Sequence, residues 1–587
     1  MEENRKIKQM LNRIEDARLY RSRLKDYKWR ELDAFDNGEQ WDLKSHPSWL
    51  PRPVTNYINL VKSLKTASVS VENLTGDLLP LSPADTQMIG ELNRVNQYLW
   101  EKLGIKYHVR DALESSRLLG TGITFVGWDE SVLGGTRGSL YEGEIVVKNI
   151  DPSCFYPDPR AHTLEDCEFM YTAYRKPFEF FARHPRFKAK AEEIKQRLHG
   201  SGHEYGEIYN GRDYQSQQDE VLNFISYYYK DTQRDKVSGD EFTTWKVAYF
   251  ANEVFLDERP VIPNECPFSV LYQHKRKQDF WGVSDAMLIL DNQKLVNKIE
   301  SISATIALML QNPQKVVNKA SGIDPRIVAK YGNAQGIVYE SNIDPSQAIR
   351  YVEPPQLPAS LLQTLQETKA NIREIAGLNE AYMGSSVGSL QTSSGVNQLI
   401  NRATLRDQDS MFHIEQYLER LTRLLMKYAV TYYTDNRLMR LKNIDPVSSQ
   451  EFDYVQFVAQ DYSDLDFDFK VDTYRKANDS RAQRREDAQN LIQWQLQFQP
   501  EVALITPEEI IKMYNIEDKE DILARMKNDR DMMSLQQSQI ITQAVMEQMQ
   551  MGMPPEQIQM FVQQILTGEL LKEQKGGIGN VQQRQMG

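Results

Sequence analysis

The 587-residue chain is poor in cysteine, has no long apolar run and lacks a phosphate-binding loop. Cys154, Cys167 and Cys266 stand far apart with no CxxC pair, which argues against a disulfide framework and suits a reducing compartment. The longest near-apolar stretch, Ile302 to Leu310, is about half of the ~20 residues a membrane span needs. The first residues, Met-Glu-Glu-Asn-Arg-Lys, lack the apolar core of a secretory signal, so the expectation is a protein made in a cytoplasm. No Gly-Lys pair occurs anywhere, and without a lysine to reach nucleotide phosphates a P-loop ATPase is excluded. Positive charge is also short: 70 Lys+Arg face 82 Asp+Glu, a net charge of −12. That excludes a tight, sequence-independent duplex binder, which needs clustered cations on phosphates. It does not exclude a surface past which DNA slides.

What is present is enough for folded domains. Hydrophobic residues make up 40%, and 29 Tyr, 21 Phe and 8 Trp are far too many for a disordered chain. Mean hydropathy is nevertheless low, at −0.58. The length suggests roughly three to four domains.

Residues 3–35 read as one polar helix ending before the turn signal Asp36-Asn37-Gly38. Helices are expected over 56–79, with Ile58, Val61, Leu64 and Ala67 on one face, and over 83–118. Strands are expected at Ile123–Trp128, Glu144–Ile150, Glu220–Lys230 and Thr243–Phe255, interrupted by a basic helical insert over 177–198. Ser284-Asp285 can cap a helix that Asn312-Pro313 stops, its stripe being Val296, Ile299, Ile302, Ile306 and Met309/Leu310. Short strands follow at 315–318, 336–339 and 349–352. A second helix runs from Pro358 to Gly377 on Leu361, Leu362, Leu365, Ile372 and Ile375. The two helices thus flank an excursion of about 45 residues. A Gly/Ser loop over 384–395 opens into a long helix over 396–434, strand-like segments follow at 454–459 and 465–471, and 478–587 is helical and rich in Gln and Met. The fold class is α+β.

Candidate chemistry is sparse. Gly120-Thr-Gly122 precedes a strand, and Phe125 stands where a dinucleotide fingerprint needs its third glycine, so a helix-to-strand turn is the better account. Asp464, Asp466 and Asp468 share one strand face, but a calcium loop would need Gly and Glu where Phe469 and Arg475 stand. His199 and His203 flank Gly200-Ser201-Gly202, a weak metal site at best. The basic stretches 184–190 and 274–277 are short and flanked by acids, and solvated surface is the simpler reading, with DNA contact or an interface charge second. No catalytic, cofactor or metal site is expected.

Four patches occur in order along the chain. They are Phe35-Asp-Asn-Gly38-Glu-Gln40-Trp41 with Arg52-Pro53 and Asn56-Tyr57-Ile58; Leu118-Leu-Gly-Thr-Gly122 running into Phe125-Val-Gly-Trp128-Asp129 and Asp151-Pro152 with Phe155-Tyr-Pro-Asp-Pro159; Asp279-Phe280-Trp281-Gly282-Val283 with Gln293 and Asn297; and Gly377 through Gly395. With the helix–excursion–helix element they enclose, the chain resembles a bacteriophage portal protein of the short-tailed phages over roughly residues 30–500.

The resemblance implies a ring, usually of twelve subunits, at one vertex of a capsid. Residues 1–283 and 396–475 would form the mixed wing, 284–312 and 358–377 a helical stem hairpin, 313–357 a small α/β clip, 378–395 a tunnel loop, and 476–587 a helical crown with a disordered end. Lys369 and Arg373, four apart on the second stem helix, would be channel cations. Asn379, Tyr382, Ser385, Ser386 and Gln391 would be the tunnel-loop residues nearest DNA. In the clip, Asp324, Arg326, Lys330, Tyr331 and Asn333 would meet the large terminase subunit and later the head-to-tail adaptor. The implied partners are further copies of the chain, double-stranded viral DNA held transiently, the major capsid protein and a scaffolding protein, with no membrane. The implied location is the capsid vertex of a virion assembled in the host cytoplasm. A channel-free internal virion or scaffold-type protein is the alternative, and a metal-dependent nuclease using Asp464, Asp466 and Asp468 a distant third.

Overall fold

Met10, Ile14 and Ala17 recur at helical spacing in the charged first segment, and this narrow stripe decides where the segment packs. In the computed structural model the described residues are 2–378 without 25–26, 43, 45, 70–76, 81–85, 137–138, 198–220, 235–240 and 354, together with 408–433, 437–442, 452–457 and 467–470. They fall almost wholly in one of two units, Met1–Leu441 with Tyr454–Asn478; the other comprises Lys442–Asp453 and Asp479–Gly587. The expected single helix over 3–35 is two, α1 (Glu2–Arg23) and α2 (Trp29–Asp36). Lys28 takes a left-handed φ of 44°, so that Tyr27 and Trp29 enter a different core from α1.

The second expected helix is shorter than its pattern. It is α3 (Tyr57–Ala67), and Asp77–Pro80 is instead an extended strand, β1. The helix expected over 83–118 breaks at Gly104 (φ 61°) into α4 (Thr86–Lys102) and α5 (Ile105–Leu119).

Two antiparallel sheets carry the middle of the chain. The first has the order β3-β2-β9, from β2 (Thr121–Thr136), β3 (Ser139–Ile150) and, distant in sequence, β9 (Phe268–Tyr272). The second is a meander of β4 (Phe155–Pro157), β5 (Phe169–Pro177), β6 (Val221–Arg234), β7 (Glu241–Ala251) and β8 (Val254–Pro260), after which the chain returns to the first sheet as β9. The strand expected over 243–255 is a hairpin, because Asn252 at φ 52° makes a two-residue turn that pairs Ala251 with Val254. Period-two alternation splits the meander between two cores. Tyr171, Tyr227 and Tyr229 face the α1 stripe, while Met170 and Tyr228 face the central core with Phe268 and Trp281. The basic insert forms α6 (Phe178–Arg183) and α7 (Ala191–Arg197), seated on Phe181, Phe187 and Ile194.

After the short pair β10 (His274–Lys275) and β11 (Gly282–Val283) comes α8 (Asp285–Gln311), whose limits match the sequence pattern. Ser284 Oγ accepts from the Met287 amide at 3.1 Å and caps it. The excursion holds β12 (Lys315–Val317), α9 (Pro325–Tyr331), α10 (Pro345–Ala348) and β13 (Ile349–Tyr351), with β12 and β13 antiparallel; no strand forms at 336–339. Next, α11 (Ala359–Ala376) ends at Gly377 (φ 68°), where the Leu378 amide reaches back to the Arg373 carbonyl at 2.8 Å. Then α12 (Gln408–Tyr432) buries Ile414, Leu418, Leu421 and Leu425 against β9, β2 and α4. Last come β14 (Arg437–Lys442), β15 (Phe452–Phe457) and β16 (Phe467–Lys470), the last paired with β1. The mixture of helix and antiparallel strand is α+β, as expected. Apart from Leu378, the segments expected as tunnel loop and crown lie outside the described residues.

Candidate functional site

The helix–excursion–helix element is rooted where three of the four sequence patches meet. Gly120 closes α5 at φ 85°, and a Cβ there would lie 2.3 Å from the Gly282 carbonyl oxygen; a Cβ on Gly282 would lie equally close to the Gly120 oxygen. Only two glycines allow this backbone approach. It is tied by the Gly282 amide donating to Thr121 Oγ1 (3.0 Å) and by Ser284 Oγ donating to the Leu118 carbonyl (2.7 Å). Gly120-Thr-Gly122 is therefore a helix-to-strand turn. Beside it Arg21 lies against both the Trp29 and Trp281 rings, 4.3 and 4.4 Å from their centroids, and the two rings meet edge to face. Burial pushes its guanidinium pKa down to about 10.

At the start of α8, Asp285 accepts from Gln273 Nε2 (2.7 Å) and lies 3.2 Å from His274 Nε2 and 3.7 Å from Lys65 Nζ. Burial alone would raise its pKa. The His274 contact and the Lys65 and Arg117 charges outweigh burial and hold the carboxyl below its ordinary value. Two turns on, Gln293 and Asn297 form a buried amide network with the first patch. Gln40 Oε1 accepts from Asn297 Nδ2 (2.7 Å) and Gln293 Nε2 (3.2 Å), while Gln293 Oε1 accepts from the Tyr57 amide (3.0 Å). Gln293 Nε2 also donates to the Thr55 carbonyl at 2.8 Å. Their signal in the sequence was two amides four apart inside an apolar stripe; what they bind was not legible.

Leu288 and Leu295 on the root of α8 are exposed, but the root also has a buried face, and beyond Ser301 no side chain of the helix is buried. Val296 and Ile299 are buried, whereas Ile302, Leu308 and Leu310 are 46%, 50% and 65% exposed. On α11, Leu365 and Ile372 are buried and Leu362 is exposed. Lys369 pairs with Glu300 at 2.9 Å across the hairpin, and Glu300 also accepts from Thr55 Oγ1. Arg373, one turn on, is exposed and forms no ion pair among the described residues.

The excursion has a core of its own in Ser321, Val328 and Ala348. The five residues singled out in it lie together on α9 and its flanks, all exposed. Asp324 caps α9 by accepting from the Arg326 amide (2.8 Å), and Lys330 lies over the Tyr331 ring. Asn333 donates to Asn312 Oδ1 (2.7 Å) and accepts from Lys315 Nζ, which ties the excursion to the end of α8. Asn379, Tyr382, Ser385, Ser386 and Gln391 lie outside the described residues, as do Asp464, Asp466, His199 and His203. Asp468 is on β16, opposite Leu79.

In the basic stretches Arg186, Lys188, Arg276 and Lys277 are exposed, as expected, while Lys275 and Lys190 are half-buried. Lys275 donates to the His162 and Phe280 carbonyls (2.6 and 2.9 Å), and burial pulls its pKa down to about 8. Arg186 pairs with Glu130, and Lys190 donates to the Phe255 carbonyl. Among the described residues no group of His, Cys, Asp and Glu is arranged to hold a metal ion, and no helix is long and apolar enough to cross a membrane.

No curated protein matches the chain. Residues 79–576 match the family described as phage P22-like portal protein, a span that takes in the hairpin, the excursion and α12. The chain belongs to the phage P22-like portal protein family.

Proposed function

We propose that this chain is the subunit of a portal ring at one capsid vertex, through which double-stranded DNA is packaged and later leaves. In this reading residues 1–283 and 396–475 are the wing, α8 and α11 the stem, 313–357 the clip, 378–395 the tunnel loop and 476–587 the crown. The clip, with Asp324, Arg326, Lys330, Tyr331 and Asn333, docks the terminase and then the head-to-tail adaptor, while the wing meets capsid and scaffolding proteins. Arg373 and, where its pairing with Glu300 opens, Lys369 are the stem cations. The tunnel-loop residues Asn379, Tyr382, Ser385, Ser386 and Gln391 touch DNA without reading bases. The chain performs no catalysis; the packaging energy comes from a separate ATPase.

One observation carries the reading: α8 continues for about three turns past its buried root with aliphatic side chains exposed. A helix end of this kind is marginal alone and is satisfied by neighbouring copies. Head-to-tail contacts of that type close into a ring. Negative-stain images and sedimentation of the purified chain test it. Rings with a central hole wide enough for duplex DNA are expected; monomers or open filaments under all conditions would overturn it.

A further inference from the structure

The outer part of the hairpin carries no charge on either helix. From Ser301 to Gln314, and again from Pro354 to Gln366, the chain has no Asp, Glu, Lys or Arg. In α8 and α11 these are the parts beyond the Glu300–Lys369 pair, the last charged contact between the two helices toward the excursion. The remainder of the hairpin is charged: Asp285, Asp291, Lys294, Lys298 and Glu300 on α8, with Glu367, Lys369, Arg373 and Glu374 on α11. The uncharged band is ~16 Å tall at 1.5 Å per residue over the outer eleven residues of α8.

Four of its five hydroxyls are also turned onto backbone oxygens, Ser360 being the exposed fifth. Ser303 Oγ donates to the Ile299 carbonyl (2.9 Å) and Thr305 Oγ1 to that of Ser301 (2.7 Å). Ser301 Oγ donates to the Pro51 carbonyl (2.8 Å), and on α11 Thr364 Oγ1 donates to that of Ser360 (2.9 Å). A hydroxyl has one proton to give, and each of these is already engaged with a backbone oxygen. The exposed donors of the band include the Ser360 hydroxyl and the neutral amides of Gln311, Gln366 and Gln363, the last already donating to Glu367 Oε1 (2.9 Å), and neutral donors bind phosphate more weakly than a cation does.

We propose that this band is a phosphate-inert collar: the part of the stem wall that faces the sugar-phosphate backbone of passing duplex DNA and offers it no charge to hold. The inference rests on the ring reading above. It does not depend on how each helix is rotated in the ring, because no face of either helix carries a charge in the band. A cation here would form a contact with phosphate in every subunit, and affinity rises steeply with the number of such contacts. The exposed aliphatic residues of the same band take the contacts between copies, so the apolar content serves assembly while the absence of charge serves passage.

The test places one lysine per subunit at exposed positions around the band, as Ala307→Lys, Gln311→Lys, Gln363→Lys and Gln366→Lys. The neutral references are Ala307→Gln and the unsubstituted chain. Purified rings are incubated with a short linear duplex or with covalently closed circular DNA, which cannot thread, and retained DNA is measured by filter binding. At least one lysine variant should retain linear duplex about tenfold more than its neutral reference, losing the gain between about 50 and 200 mM salt, with no gain for closed circles. Rings in which no lysine raises retention, or in which circles gain as much as linear DNA, would overturn the collar alone. Failure of the unsubstituted chain to form rings would overturn the ring reading and the collar with it.

Discussion

The two ends of α8 are one continuous helix with opposite solutions for their side chains. In the root, from Asp285 to Glu300, polar side chains are buried and engaged: Asp285 reaches Lys65, Gln293 the Tyr57 amide and Asn297 Gln40, all far away in sequence. In the outer part, aliphatic side chains are exposed and hydroxyls fold back on their own helix. Burial of polar groups at the root fixes where the helix emerges, because an unmatched buried amide or carboxylate is costly. Exposure of apolar groups outside leaves surface for other copies. The first half has a face buried in the subunit, with Leu288 and Leu295 exposed on the other side, whereas the second half has no buried face after Ser301.

The strongest way to break the root is at its closest backbone approach. Gly120→Val adds a side chain at φ 85°, within 2.3 Å of a carbonyl that cannot move without its strand. A loss of about 4 kcal/mol or more is expected, read as a lowered denaturation midpoint or as insoluble protein. Gly336 in the excursion is the control: its φ is 79° but nothing lies within 4 Å of a Cβ there. Gly336→Ala should therefore cost only the left-handed backbone penalty, about 1 kcal/mol.

Next in size is Gln293→Leu. It removes the bonds of Gln293 to the Tyr57 amide, the Thr55 carbonyl, Gln40 Oε1 and Asn297 Oδ1 and leaves Asn297 Oδ1 buried without that donor, for about 3 kcal/mol in a denaturant titration. If the root is what aims the hairpin, this variant should also impair ring formation at concentrations where the folded fraction is still high.

Asp285→Asn should be milder, about 2 kcal/mol at neutral pH, and it has a pH signature. The folded-state pKa of Asp285 is depressed by His274, Lys65 and Arg117 against the opposing effect of burial. Its stabilisation is therefore fully present above the unfolded-state value near 4. It is lost as pH falls through the lower folded-state value. Stability against pH should be flatter on the acid side for the variant, and the two curves should converge in strong acid. A constant offset at every pH would mean that Asp285 acts by packing alone.

Legibility in the sequence followed the same division. The cap at Ser284, the stop at Asn312-Pro313 and the glycine end at Gly377 are local rules, and α8 and α11 have the limits those rules predict. Breaks at Lys28 and Gly104 were not legible, since each serves burial in a core assembled from distant segments. Asn252 hid a hairpin because its neighbours are equally strand-like on both sides. Among site residues, Gln40, Gln293 and Asn297 were visible as members of separate patches, yet their contact spans about 250 positions and has no local signal. Lys369 was legible as a cation on a helix face, but its pairing with Glu300 depends on how the two helices are aligned.

The smallest effect on the subunit tests the comparison most directly. Leu308→Gln removes an aliphatic side chain that is half exposed and adds no charge. The folding stability of the single chain should change by no more than about 0.5 kcal/mol. Leu365→Gln is the matched change on the facing helix at a buried position, and should cost about 3 kcal/mol because it leaves a cavity and buries an amide without a partner. In sedimentation velocity, Leu308→Gln should require a higher protein concentration for ring formation, and Leu365→Gln should lose rings only as it loses folded chain. Equal destabilisation by both would mean that the outer helix is packed within the subunit after all. Rings from Leu308→Gln at the unsubstituted concentration would mean that this leucine is not part of the surface between copies.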